Sequence, residues 1–246
     1  MSRAWVIFKR IGRLLKFLLI CIVITVCIFM LWRVFSTGTP KELKALSPND
    51  KLCSLYAEQG EDMYVFDQNY DDITRTPKAY GYFAVPEAVF IPEANQAQIV
   101  FRYNNSTIRS LASDFLLESL PDRESDLFDV SLTLFIDLTP ENTEDNYEKD
   151  SASVRVVRVR PTSAESDRTT LYNFYRYTFD FENAETPVDF ESLLESDMLI
   201  AVHTEVYYNE AIDYGDDPYG AICIYDYRKE NRPVDLKGRD KKALEG

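Results

Sequence analysis

The chain has 246 residues, with 41 acidic against 27 basic side chains, one histidine, four cysteines and eight glycines, and 31 of its residues are Tyr or Phe. A single histidine excludes a zinc site built from two or three imidazoles of one chain, and the excess of acid argues against nucleic acid as a partner. The length suits one membrane segment and a single domain of about 200 residues with a substantial core.

The membrane segment is Phe17 to Trp32, FLLICIVITVCIFMLW, which carries no charge and has Thr25 as its only hydroxyl. Extended over residues 14–35 it reaches 22 residues, and at about 1.5 Å each it crosses a hydrocarbon core of roughly 30 Å. Five basic residues (Arg3, Lys9, Arg10, Arg13, Lys16) precede it and Arg33 ends it, with no acid before Phe35. The positive-inside rule predicts a single-pass signal-anchor of the plasma membrane, with residues 1–13 as a cytoplasmic tail and everything after the span extracytoplasmic. A cleaved signal peptide, cut at Ser36-Thr37-Gly38, is the competing reading. The apolar run is longer than a signal core, however, and it ends in the interfacial pair Trp32-Arg33. Once the six basic residues of the N-terminal region are set aside, 21 basic and 41 acidic side chains remain, so the external part carries about −20.

Residues 36–50, STGTPKELKALSPND, are broken by Gly38, Pro40 and Pro48 and predict a stalk. The domain is expected over 51–228, followed by a charged, unpatterned tail over 229–246 that frays.

Within the domain, strand signals alternate with turn chemistry. Met63 to Phe66 is a short apolar run. Ala79 to Val85 and Ala88 to Ile91 are separated by Pro86 and closed by Pro92, as at strand ends. Ala97 to Tyr103 alternates Ile99, Phe101 and Tyr103 against Gln98, Val100 and Arg102. Asn104-Asn105-Ser106 then offers N-caps for a helix over about 107–117, with Ile108, Leu111, Ala112, Phe115 and Leu116 at helical spacing.

The clearest strand is Leu127 to Leu138, with six apolar residues in period two and Asp129, Ser131, Thr133 and Asp137 between them, which predicts one buried and one wet face. Residues 139–153 form an acidic loop. Val154 to Arg160, VRVVRVR, is a basic strand in which Val156-Val157 suggest a bulge. Thr162 to Thr170 reads as a polar loop, and Leu171 to Phe181 as an aromatic strand. Asp189 can cap one helical turn over Phe190 to Leu194, and Met198 to Tyr208 and Ala221 to Tyr227 are the last strands. About eight short strands without helical crossovers predict a mainly all-β fold. It is an antiparallel β-sandwich, immunoglobulin-like in the broad sense, with one short helix, behind the transmembrane helix. The Cys-Trp-Cys core of true immunoglobulin domains is missing, because Trp5 and Trp32 both precede the domain.

Few residues carry recognisable chemistry. Asp67-Gln68-Asn69-Tyr70-Asp71 begins like a calcium loop, but Asp72 stands where glycine belongs and Lys78 where the bidentate Glu belongs, so no metal and no cofactor are expected. No nucleophile elbow, zinc-protease or phosphate-loop motif is present, and no catalytic residue is assigned. The densest acid and tyrosine segment is 207–220, where Tyr207, Tyr208, Asp213, Tyr214, Asp216, Asp217 and Tyr219 are the candidate binding residues. Tyrosine offers flat apolar area with a polar tip, and carboxylates bind sugar hydroxyls, cations or basic partners. The expected function is therefore a non-enzymatic, membrane-anchored binding or assembly module of the cell envelope, with another envelope protein or a glycan as partner.

The alternative is an envelope enzyme. It would use a carboxylate pair, or Cys223 with His203 as base and Arg228 as oxyanion partner, an arrangement that shares only residue types with sortase-like transpeptidases. Cys53 and Cys223 are the only cysteines beyond the span, so outside the cytoplasm a disulfide between them competes with two reduced thiols.

Overall fold

The computed structural model describes residues 3–68, 78–80, 83–104, 106–107, 110, 128–138, 153–208 and 220–245. The chain divides into two compact units, Met1–Gly38 and Thr39–Gly246. The first is the helix α1, Arg3–Thr37. Its stretch Gly12–Arg33 is 22 residues long and apolar enough to cross a membrane. The hydroxyl of Thr25 donates to the carbonyl of Cys21 at 2.9 Å, which keeps this polar group satisfied within the helix.

The second unit is mostly β and holds two antiparallel sheets. Strands β1 (Phe66–Gln68), β2 (Lys78–Tyr80), β3 (Phe83–Ile91), β4 (Gln96–Asn104), β7 (Pro161–Arg168), β8 (Tyr172–Asp180) and β11 (Asn231–Pro233) form the larger one. Its order is β11-β1-β3-β4-β8-β7, with β2 paired to β3 beside β1. The smaller sheet has the order β10-β9-β5-β6, from β5 (Phe128–Asp137), β6 (Val154–Val159), β9 (Leu199–Tyr208) and β10 (Gly220–Asp226).

Period-two patterning places Ile99, Phe101, Tyr103, Tyr175, Tyr177 and Phe179 of the larger sheet in one core with Val130, Leu132, Leu134, Ile136, Val202 and Val206 of the smaller. At one end of that core, four rings stack in series. Phe66 and Phe90 lie 5.2 Å apart between centroids, Phe90 and Phe190 5.5 Å, and Phe190 and Phe181 4.5 Å. Phe190 opens the helix α3 (Phe190–Glu195; α2 is Asp50–Gln59), and Asp189 caps it by accepting from Ser192 N. The left-handed Asn95, in the β3–β4 turn, ties that helix to the sheet. Its side chain donates to Val188 O and accepts from Phe190 N.

The segment expected to be a stalk is part of the domain. Leu43 packs on Val100 and Phe174, and Leu46 joins Leu52, Met63, Val65, Val89 and Ile91 on the outer face of the larger sheet. Buried polar side chains on that face hold the segment's backbone. Gln98 makes a two-way amide pair with Ser47, its Oε1 accepting from Ser47 N and its Nε2 donating to Ser47 O, both at 2.8 Å. Arg176 donates to Leu43 O from Nε and Nη2, to Gln98 Oε1 from Nη1, and to Glu87 at 3.2 Å. Asn49 Nδ2 donates to Gln96 Oε1, and Asn49 Oδ1 caps α2.

The tail is likewise folded. β11 pairs with β1, and α4 (Gly238–Leu244) places Leu244 in the outer cluster, while Asp240 Oδ1 accepts from Leu46 N at 2.9 Å. Three of the tail's charges pair specifically, Arg232 with Asp67, Lys241 with Glu61 and the buried Asp240 with Leu46 N.

Three local expectations also change. Thr162–Thr170 is not a loop, since Pro161–Arg168 is the polar edge strand β7. β6 keeps continuous register with β5, so Val156-Val157 make no bulge; Val157 and Val159 enter the core and Val156 faces out. The face of β5 expected to be wet is buried at Ser131, Thr133 and Asp137. Of the helix expected over 107–117, only Thr107 and Ser110 are described, and both are helical.

Tyr225 supplies a pH test of the core. Burial first, and then the nearby Asp197 and Asp226, push its phenol up to about 12. A raised native pKa means that the unfolded chain ionises first, near pH 10. The stability contributed by neutral Tyr225 is thus complete below pH 10 and is lost as the pH rises to 12. Urea midpoints measured from pH 9 to 12 should fall more steeply for the wild type than for Tyr225→Phe. Parallel curves would contradict this.

Candidate functional site

The smaller sheet carries Cys223, His203, Tyr207 and Tyr208 of the residues singled out by chemistry. Strand alternation puts Val130, Leu132, Leu134 and Ile136 of β5 in the core, so Ser131, Thr133 and Phe135 face outward. By register, Cys223 of β10, His203 of β9, Thr133 of β5 and Arg158 of β6 form one row across all four strands. Ala221, Glu205 and Ser131 form the next. The structure therefore brings Cys223 and His203 together as direct cross-strand partners, while Arg228 lies beyond the end of β10 and forks onto Asp226.

The bulge in β10 decides how Cys223 is used. The register shifts between Cys223 and Tyr225, so Ile224 and Tyr225 both point into the core while Cys223 stays on the outer face. The Cys223 thiol donates to the Tyr225 carbonyl at 3.0 Å and so satisfies a backbone group at the bulge. His203 lies against the Phe135 ring, with centroids 4.8 Å apart.

Around this row the face is polar but largely closed. Ser131 and Thr133 are 5% and 2% exposed, and among the described residues their hydroxyls have no hydrogen-bond partner. An orphaned buried hydroxyl costs about 1–3 kcal/mol, and such groups are rare enough in native proteins to mark a place for functional tests. Glu205, mostly buried, meets the exposed Arg158 at 3.7 Å. Glu205, Ser131, Thr133, Arg158 and Phe135 were not singled out from sequence. The polar period of β5 was visible there, but register with β9 and β6 was not.

The predicted binding segment joins β9 to β10, so it springs from this same sheet. Tyr207 and Tyr208 end β9 opposite Asp129 and Phe128, and Asp213, Tyr214, Asp216, Asp217 and Tyr219 lie outside the described residues. Of the calcium-like turn, Asp67 is held by Arg232 and Gln68 binds Asn231 and Asp226 N, which gives both a structural role in strand pairing. Among the described residues no three His, Cys, Asp or Glu side chains converge as metal ligands. A separate cavity of about 320 Å³ lies between Glu61–Val65 and Pro233–Leu236, and Lys241 at its wall pairs with Glu61.

No bridge joins Cys53 to Cys223. Cys53, on α2, packs against the outer face of the larger sheet, and Cys223 lies on the outer face of the smaller one. Two packed sheets about 10 Å apart separate them, beyond the roughly 7 Å between Cα atoms that a disulfide spans. Alkylation of the unfolded protein without reductant should label all four thiols, and a mass two labels short, with Cys53 and Cys223 unlabelled, would restore the bridge. Comparison of the chain with protein-family models, with curated proteins and with solved structures finds no match.

Proposed function

We propose that this protein is anchored in the plasma membrane by α1, holds its sandwich outside the cytoplasm, and uses it as a non-enzymatic binding or assembly module of the cell envelope. The orientation rests on five basic residues before the span against one at its end. The non-enzymatic reading is carried by Cys223. Its thiol proton serves the Tyr225 carbonyl, whereas a nucleophilic cysteine passes that proton to a base. The recognition surface is the 207–220 connection. A basic envelope protein, a cation or a glycan suits its acids and tyrosines.

The register of His203 with Cys223 is the observation that favours the enzyme reading. The two readings part on Cys223→Ala, which abolishes the cellular function of an enzyme built on the Cys223–His203 pair and spares that of a binding module. Protease added to intact cells should remove the domain, and full protection in accessible protoplasts would reverse the orientation. Crosslinking in intact membranes should recover a partner. The triple change Asp213→Asn, Asp216→Asn, Asp217→Asn should reduce that recovery at unchanged fold, and undiminished recovery would move recognition away from this loop.

A further inference from the structure

We propose that the outward edge of β6 at Val154 and Val156, where no described backbone group pairs with it, docks an extended acidic segment of a partner protein by strand addition. The Arg158 carbonyl accepts from Glu185 N at 3.3 Å, so this residue turns its backbone away from β5. Alternate residues of an antiparallel strand do the same, which directs the N–H and C=O groups of Val154 and Val156 outward as well. Ser153, of opposite parity, sends its carbonyl to Leu138 N on the β5 side, as this requires. Among the described residues no backbone group outside β5 pairs with Val154 or Val156, and β6 ends the order of its sheet.

The side chains select the occupant. Val156 is 58% exposed and offers an apolar contact beside Phe135 of β5, its cross-strand neighbour. Arg155 and Arg158 of β6 and Arg160 just after it are exposed and have no acid among them, in a domain carrying about −20, although Arg158 also meets Glu205. A second copy would set arginines against arginines across the pair, which disfavours self-association at this edge. An acidic strand meets both requirements at once, with backbone pairing for affinity and carboxylates for selection. This surface differs from the 207–220 connection, which suits a basic partner, so the two stand or fall separately.

The test uses the full chain in detergent and fluorescent octapeptides alternating Glu with Val. Saturable binding is expected at low salt and should weaken as salt rises, whereas the Lys counterpart should not bind. Val156→Pro removes an outward N–H, and the pair Arg155→Glu, Arg158→Glu reverses the charge. Each should weaken binding at least tenfold at unchanged circular dichroism, as should N-methylation of alternate peptide residues. A conservative control, Val156→Thr, keeps the backbone donor and should retain binding. Absence of binding by the acidic peptide overturns the proposal, as does equal binding of the N-methylated peptide. A dimer abolished by Val156→Pro would put a second copy at this edge and also overturn it. None of these outcomes alters partner recovery through the acidic loop, which tests the wider reading.

Discussion

Arg176→Ala is expected to destabilise the domain by about 3–5 kcal/mol, the range for breaking a buried charged network by removing one partner. Arg176 is 1% exposed, and burial lowers its pKa while Glu87, Asp240 and Glu165 oppose that shift. Its removal leaves the Leu43 carbonyl and Gln98 Oε1 short of donors and Glu87 without its ion pair. Arg176→Met fills much of the volume without the charge and should cost less than Arg176→Ala. Chemical denaturation of the detergent-solubilised chain measures both. Arg176→Ala within about 1 kcal/mol of wild type would mean that the guanidinium does little more than balance its own desolvation. Hydrogen exchange supplies a local signature: the amides of Leu46 and Ser47 should lose protection before the core strands do.

Phe90→Ala should cost a similar amount, about 3–5 kcal/mol, through a different mechanism. Phe90 is fully buried and stands in the middle of the ring series Phe66-Phe90-Phe190-Phe181, so truncation opens a cavity bounded by the larger sheet and α3. Phe90→Leu keeps most of the volume and should recover more than half of the loss. If Phe90→Ala and Phe90→Leu proved equally mild, the stack would be able to collapse around the gap, and the series would not be the rigid corner of the core.

The parts of the fold legible in the sequence are those where burial follows chain period. Phe128 to Asp137 and Gln96 to Asn104 alternate because each strand has one face in the core, and Asp189 announces its helix by capping it. The edge strand Pro161–Arg168 was illegible because both of its faces are largely exposed, and its conformation comes from pairing with β8. Gly38, Pro40 and Pro48 make residues 36–50 read as a stalk, and charge without pattern makes 229–246 read as a fraying tail. Their burial depends on Gln98, Arg176 and Asp240, whose partners lie 51, 133 and 194 residues away in the chain. Of the candidate site, the acidic connection and the interest of Cys223 and His203 were visible as residue types. Their placement in one row was not, because register across β10, β9 and β5 is a property of pairing that no local pattern carries.

The docking of residues 43–49 on the larger sheet has a mechanical meaning. A pull arriving along the chain from α1 meets the bonds of Arg176, Asp240 and Gln98 at Leu43, Leu46 and Ser47, and these grips lie along one run of backbone. Because Asp240 belongs to the last helix, the two ends of the domain are gripped at one place, so clipping the C-terminus would slacken the leash at the opposite end of the sequence.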